Sequence, residues 1–133
     1  MIGEGAFVHV LFPPPQKPRE PGLLHIGYCL AVRPPLALIA YTTSQPWPPA
    51  TPLPFGVRIF TREEAIGLGQ QRAVRLHLNR QATVPLTDAW FPDLRASNQG
   101  VIAFASVRLR QELYETTIEL TRRYRLNIER LGV

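Results

Sequence analysis

The chain has 133 residues, 45% of them hydrophobic, and a formal net charge of +5. A compact domain of this length buries roughly two-thirds of its extended surface, so one domain spanning 1–133 with a single modest core is expected. No apolar run approaches the ~20 residues that cross a bilayer. The N-terminus lacks the basic and long apolar segments of a secretory leader, so the expectation is a soluble cytoplasmic protein with no membrane partner.

The elements follow in chain order. Residues 6–12, AFVHVLF, alternate as a strand covered on both faces. The next ten, PPPQKPREPG, hold five prolines, which fix φ and remove donors, and must form an exposed loop. LLHIGYCLAV (23–32) and LALIAYTT (36–43) are strands joined by Arg33, Pro34 and Pro35, a connection short enough to demand an antiparallel pair. A second proline-rich loop follows, then a strand over 55–60. Thr61 and Glu64 have the spacing of a capping box, with Gly67 and Gly69 limiting the helix to a short one. Residues 73–78, 83–86 and 100–105 complete the expected strands. TDAWFPDLRASNQG is read as a loop carrying Trp90 and Phe91.

From Ser106 the period changes. Leu109, Leu113, Leu120, Tyr124 and Leu131 fall at helical steps, predicting one amphipathic helix of about 25 residues. Many short strands and one long terminal helix give the fold class as mainly β, a small barrel packed by that helix.

The screen for chemistry excludes several classes. No phosphate-binding glycine loop is present, and His9, His25 and His77 lack the close spacing of a helical zinc motif. No metal or other cofactor is expected. Cys29, the single cysteine, sits in an apolar run and reads as a buried inert thiol. Lys17 is the one lysine among fifteen cations. Arginine grips phosphate with two parallel donors, which favours polyanionic partners, although arginines scattered over solvated faces give the same composition. Asp88 and Asp93 flank Trp90 and Phe91 and read as turn residues. Trp47 and Trp90 have two readings, platforms for unpaired bases or caps on a core edge. What remains is a hydroxyl cluster ending a strand at Thr42, Thr43 and Ser44, with Gln45 beyond it, a histidine on the preceding strand, and the basic loop carrying Arg19 and Glu20.

GAFVHVLF, a loop ending REPG, LLHIGYCLAV, LALIAYTTSQ and AVRLHLNRQATVPL, followed by a strand and a terminal helix, resemble the MazF/PemK family of toxin endoribonucleases over nearly the whole chain. The most specific pieces are Gly5, Val8 and Val10 at the start and Thr43, Ser44 and Gln45 at the strand end. The resemblance implies an SH3-like β-barrel, a homodimer that cuts single-stranded RNA without a metal, and a cognate antitoxin covering the cleft. It implies catalysis by His25, Thr43 and Ser44, with Arg19, Glu20 and Gln45 binding RNA. One departure stands out. The family carries Arg-Pro at the head of the second strand, where this chain has His25-Ile26. Arginine supplies fixed charge, whereas histidine titrates near pH 6.5 and shuttles protons. Either His25 takes over by a different balance of roles, or it is a packed strand residue and cleavage is lost. The alternatives are a non-catalytic SH3-like barrel that binds nucleic acid or a protein partner, and a CcdB-like toxin acting on a protein target through its terminal helix.

Overall fold

The computed structural model describes all 133 residues. In chain order the elements are β1 (Ala6–Leu11), β2 (Leu24–Arg33), β3 (Leu36–Thr43), β4 (Val57–Phe60), α1 (Arg62–Ile66), β5 (Val74–Pro85), β6 (Val101–Phe104), α2 (Val107–Arg123), a 3-10 turn (Arg125–Asn127) and β7 (Glu129–Gly132). The fold is mainly β. The sheet runs β4-β5-β3-β2-β1-β6 with antiparallel neighbours, and β7 joins β5 in parallel. Hydrogen bonding stops at β4 on one edge and β6 on the other, so the sheet does not close on itself. No helix is long and apolar enough to cross a membrane.

Both faces of the sheet are covered, which is why β1 has so few polar positions. Ala6, Val8 and Val10 join Phe12, Cys29, Ile39 and Val84 in one core, roofed by Trp90 and Phe91 from the 87–100 loop. Phe7 turns to the other face with Tyr28, Leu76 and Leu78, where Leu113 and Leu120 of α2 complete the second core. Two cores therefore replace the single one expected. Trp90 is 6% exposed, which removes it from any role in stacking bases. Burial pushes the Cys29 thiol up to about 12, so it stays protonated and unreactive. At α1 the capping box forms as expected: Thr61 Oγ1 accepts from the Glu64 amide, and the Glu64 carboxylate accepts from the Thr61 amide.

Two segments depart from the periodicity. Residues 73–78 and 83–86 belong to one strand, β5, which passes through Asn79, Arg80 and Gln81. Gln81 is satisfied inside the sheet: it is 2% exposed, its amide donates to the Leu78 carbonyl at 3.0 Å and its oxygen accepts from Arg130 at 3.3 Å, while Arg80 pairs with Glu129 at 3.2 Å. The terminal helix ends at Arg123, and residues 129–132 pair with Arg80–Thr83. The outer edge of β5 beyond β4 needs a partner for its backbone groups, and that demand overrides a helical stripe. Leu131 consequently packs on the first core while Leu113 and Leu120 pack on the second.

Candidate functional site

The site arises where β2 and β3 part. Their ladder runs inward from the Arg33 hairpin and stops at Tyr28 opposite Ala40. Past that point the backbone ladder of β2 is with β1 alone, with Val10 opposite His25, and that of β3 with β5 alone, with Tyr41 opposite His77 and Thr43 opposite Arg75. The strand ends separate and leave a cleft of about 440 Å³ lined by His9, His25, Thr42, Thr43, Ser44, Gln45 and Gln70, with Leu24 and Ile26. Gly27 sits at the fork, where a Cβ would lie 2.3 Å from Ile39 Cγ2. A side chain at that position would displace Ile39 from the core.

Two bonds lace the fork. The Thr42 hydroxyl donates to the Ile26 carbonyl, and His25 Nδ1 lies 3.2 Å from the Thr42 carbonyl. A carbonyl only accepts, which assigns the proton to Nδ1 and, in the neutral ring, leaves the lone pair on Nε2. His25 is half-buried, so it is at once a packed strand residue and a base with a free nitrogen at a cleft. The two threonines divide similarly. Thr42 is 3% exposed with its hydroxyl committed to Ile26, whereas Thr43 is partly exposed and its oxygen accepts from the Gln45 amide at 3.2 Å, leaving its own proton to donate.

His25, Thr43, Ser44 and Gln45 thus meet in one place. Arg19 and Glu20 do not join them; they lie exposed in the 12–23 loop, where Glu20 pairs with Lys17 at 3.8 Å. Neither a cation nor a carboxylate lines the cleft itself, apart from the two histidines. The polar residues the sequence reading missed are His9, whose Nδ1 lies 3.1 Å from Asp93 Oδ2, Gln70, whose Nε2 is buried without a partner, and Arg75, the cross-strand neighbour of Thr43. The Arg75 guanidinium lies 5.1 Å from the centre of the Trp47 ring, on a second groove of about 260 Å³ that shares Ser44 and Gln45 with the cleft.

A larger hollow, about 570 Å³, separates β4 and α1 from the start of α2. Its charges are already engaged: Glu112 pairs with Arg58 at 2.8 Å and Arg108 at 3.4 Å, these arginines hold its carboxyl below the usual range, and the Glu64 carboxylate caps α1.

Between cleft and groove runs a chain of rings, His25 to Tyr41 at 5.0 Å, Tyr41 to His77 at 5.5 Å and His77 to Trp47 at 6.3 Å. Burial, with Arg75 and Arg80 nearby, pushes the His77 pKa down to about 4, and its Nε2 has no partner. The imidazole is neutral at pH 7. Since the unfolded chain takes up this proton near pH 6.5 and the folded chain only near 4, stability is full above 6.5 and falls as pH drops through that window. At ~1.4 kcal/mol per pKa unit the loss is at most about 3–4 kcal/mol, and solvent screening reduces it. Urea unfolding of His77→Gln should show a flatter pH dependence between 4 and 6.5 than wild type; parallel profiles would contradict this.

No family model matches the sequence, and no curated protein matches it.

Proposed function

We propose that the chain is a metal-independent endoribonuclease of the MazF/PemK kind, cutting single-stranded RNA by attack of a ribose 2′-hydroxyl on the adjacent phosphorus. The observation that carries this reading is the convergence of His25, with its lone pair on Nε2, and the hydroxyls of Thr43 and Ser44 in one cleft bordered by Arg75. In the reaction the 2′-hydroxyl proton passes to His25 Nε2 as the 2′-oxygen bonds to phosphorus. The bond from phosphorus to the 5′-oxygen breaks, and that oxygen takes a proton. His9, steadied by Asp93, is the donor when protonated. The hydroxyls of Thr43 and Ser44 donate to the non-bridging oxygens, and Arg75 offsets their added charge. The products are a 2′,3′-cyclic phosphate and a free 5′-hydroxyl.

On this reading the open sheet is an SH3-like barrel whose edge strands stay apart, the active species is a homodimer, and an antitoxin blocks the cleft. Arg19, Glu20 and Gln45 then contact RNA flanking the cut. A second reading draws on one observation, that no arginine or lysine lines the cleft: a barrel of this kind that binds nucleic acid without cutting it.

Incubation with a long unstructured RNA decides between them. Cleavage is expected to be sequence-selective, to leave cyclic-phosphate ends and to persist in excess chelator. A salt-dependent mobility shift with intact RNA would establish the second reading instead.

A further inference from the structure

We infer that the groove beside the cleft is a nucleotide subsite, taking one base against Trp47 and its phosphate on Arg72 and Arg75. This rests on single-stranded nucleic acid being the ligand. The groove and the cleft share Ser44 and Gln45, so a chain leaving the cleft passes directly over these residues. Its walls are Pro46, Trp47 and Ile59, with Arg72 and Arg75. Neither arginine forms an ion pair, whereas Arg58, Arg80, Arg95, Arg108 and Arg123 all do. No carboxylate lines either hollow. Arg75 Nε is buried with no acceptor, and the guanidinium lies over one face of the Trp47 ring. The groove is therefore cationic and anion-poor, with a flat apolar surface at its centre.

The platform is held in advance. Trp47 Nε1 donates to the Thr51 carbonyl at 2.8 Å, and the loop carrying it has prolines at 46, 48, 49, 52 and 54. Such a loop has little conformational freedom left to lose on binding. A groove of about 260 Å³ admits one flat ring and its phosphate, not a helix about 10–12 Å across. Unpaired bases stack on such rings whatever their sequence, and the flanking arginines hold the backbone.

A fluorescent single-stranded DNA of about seven nucleotides tests this, because it has no 2′-hydroxyl and stays intact while occupying the site. Anisotropy titrations at two salt concentrations should give about tenfold or greater weakening for Trp47→Leu, with much of the loss restored in Trp47→Phe. Arg72→Gln should weaken binding and lower the salt slope by about 0.7, one phosphate contact. Arg122→Gln, which removes an exposed charge from α2, should change neither. Wild-type affinity in Trp47→Leu, or equal losses in Arg72→Gln and Arg122→Gln, would overturn the subsite. Trp47-dependent DNA binding with uncut RNA would uphold the groove and remove the cleavage reading. Normal RNA cleavage with Trp47-independent binding would do the reverse.

Discussion

Replacing His25 by alanine is expected to lower RNA cleavage by about 10²–10⁴-fold, the range a positioned general base contributes. The side chain is half-buried and its one hydrogen bond goes to the Thr42 carbonyl, so the loss of folding stability should be modest beside the loss of rate. His25→Gln sharpens the measurement. A glutamine amide can still donate to Thr42 but presents no basic nitrogen, and cleavage should remain as low as in the alanine variant. Rates near wild type in either variant would take His25 out of the reaction and leave it a packing residue.

Thr43→Val and Thr42→Val should then separate chemistry from architecture. The Thr43 hydroxyl is at the cleft with a proton to give, so valine there should cost about 10²–10³ in rate, as for other donors to a developing charge. Thr42 ties β3 to Ile26 across the fork, and valine leaves that part-buried carbonyl short of a partner at about 1 kcal/mol of stability. Single-turnover cleavage and urea unfolding on both variants provide the comparison. Equal rate losses at the two positions would mean that the fork, and not a hydroxyl, controls activity.

This division between neighbouring threonines was not legible in the sequence. Alternation placed Thr42 and Thr43 on opposite faces, but which face opens depends on where the β2–β3 ladder stops, a matter of long-range register. His25, Thr43, Ser44 and Gln45 were readable because each lies at a strand end, where side chains reach an edge. Arg75 and His9 were not, since each enters the site only through its cross-strand neighbours. The first three strands and α1 were legible from local signals, apolar runs bounded by prolines and a capping box. β7 was hidden because Leu131 falls in step with the helix before it, and the middle of β5 because a buried Gln81 reads as loop until its partners are known.

The shortage of charge in the cleft bears on mechanism. With Arg19 remote and no arginine heading β2, the added negative charge on phosphorus would be met by Arg75 from the neighbouring strand and by hydroxyl donors. That arrangement places the cation on the side where the chain continues toward Trp47. Substrate length should therefore matter more to the rate than it would in a cleft carrying its own arginine, because remote contacts would supply part of the stabilisation at the reacting phosphate.

Leu120→Ala should produce a large stability loss, about 2–5 kcal/mol out of a total of about 5–15. The side chain is fully buried in the second core, and it lies against Gly56, where a Cβ would come within 2.7 Å of Leu120 Cδ1. Gly56 has φ of 95° and its carbonyl accepts from the Leu78 amide, so the backbone there is fixed and cannot collapse into the vacated space. Leu126→Ala, at a residue 99% exposed, should stay within about 0.5 kcal/mol. Urea denaturation followed by far- and near-ultraviolet circular dichroism reads both. The comparison reaches beyond packing. If α2 is an integral wall of the second core, Leu120→Ala shifts one cooperative transition for sheet and helix together. If α2 is a separable effector surface, as in a toxin acting through its helix, the helical signal is lost early while the sheet transition keeps its midpoint. Leu113 and Leu120 meeting Phe7, Tyr28, Leu76 and Leu78 in one cluster argue for the first outcome. A protein-directed activity of α2 would then have to reside in exposed residues such as Tyr114 and Arg122, whose substitution leaves that cluster intact.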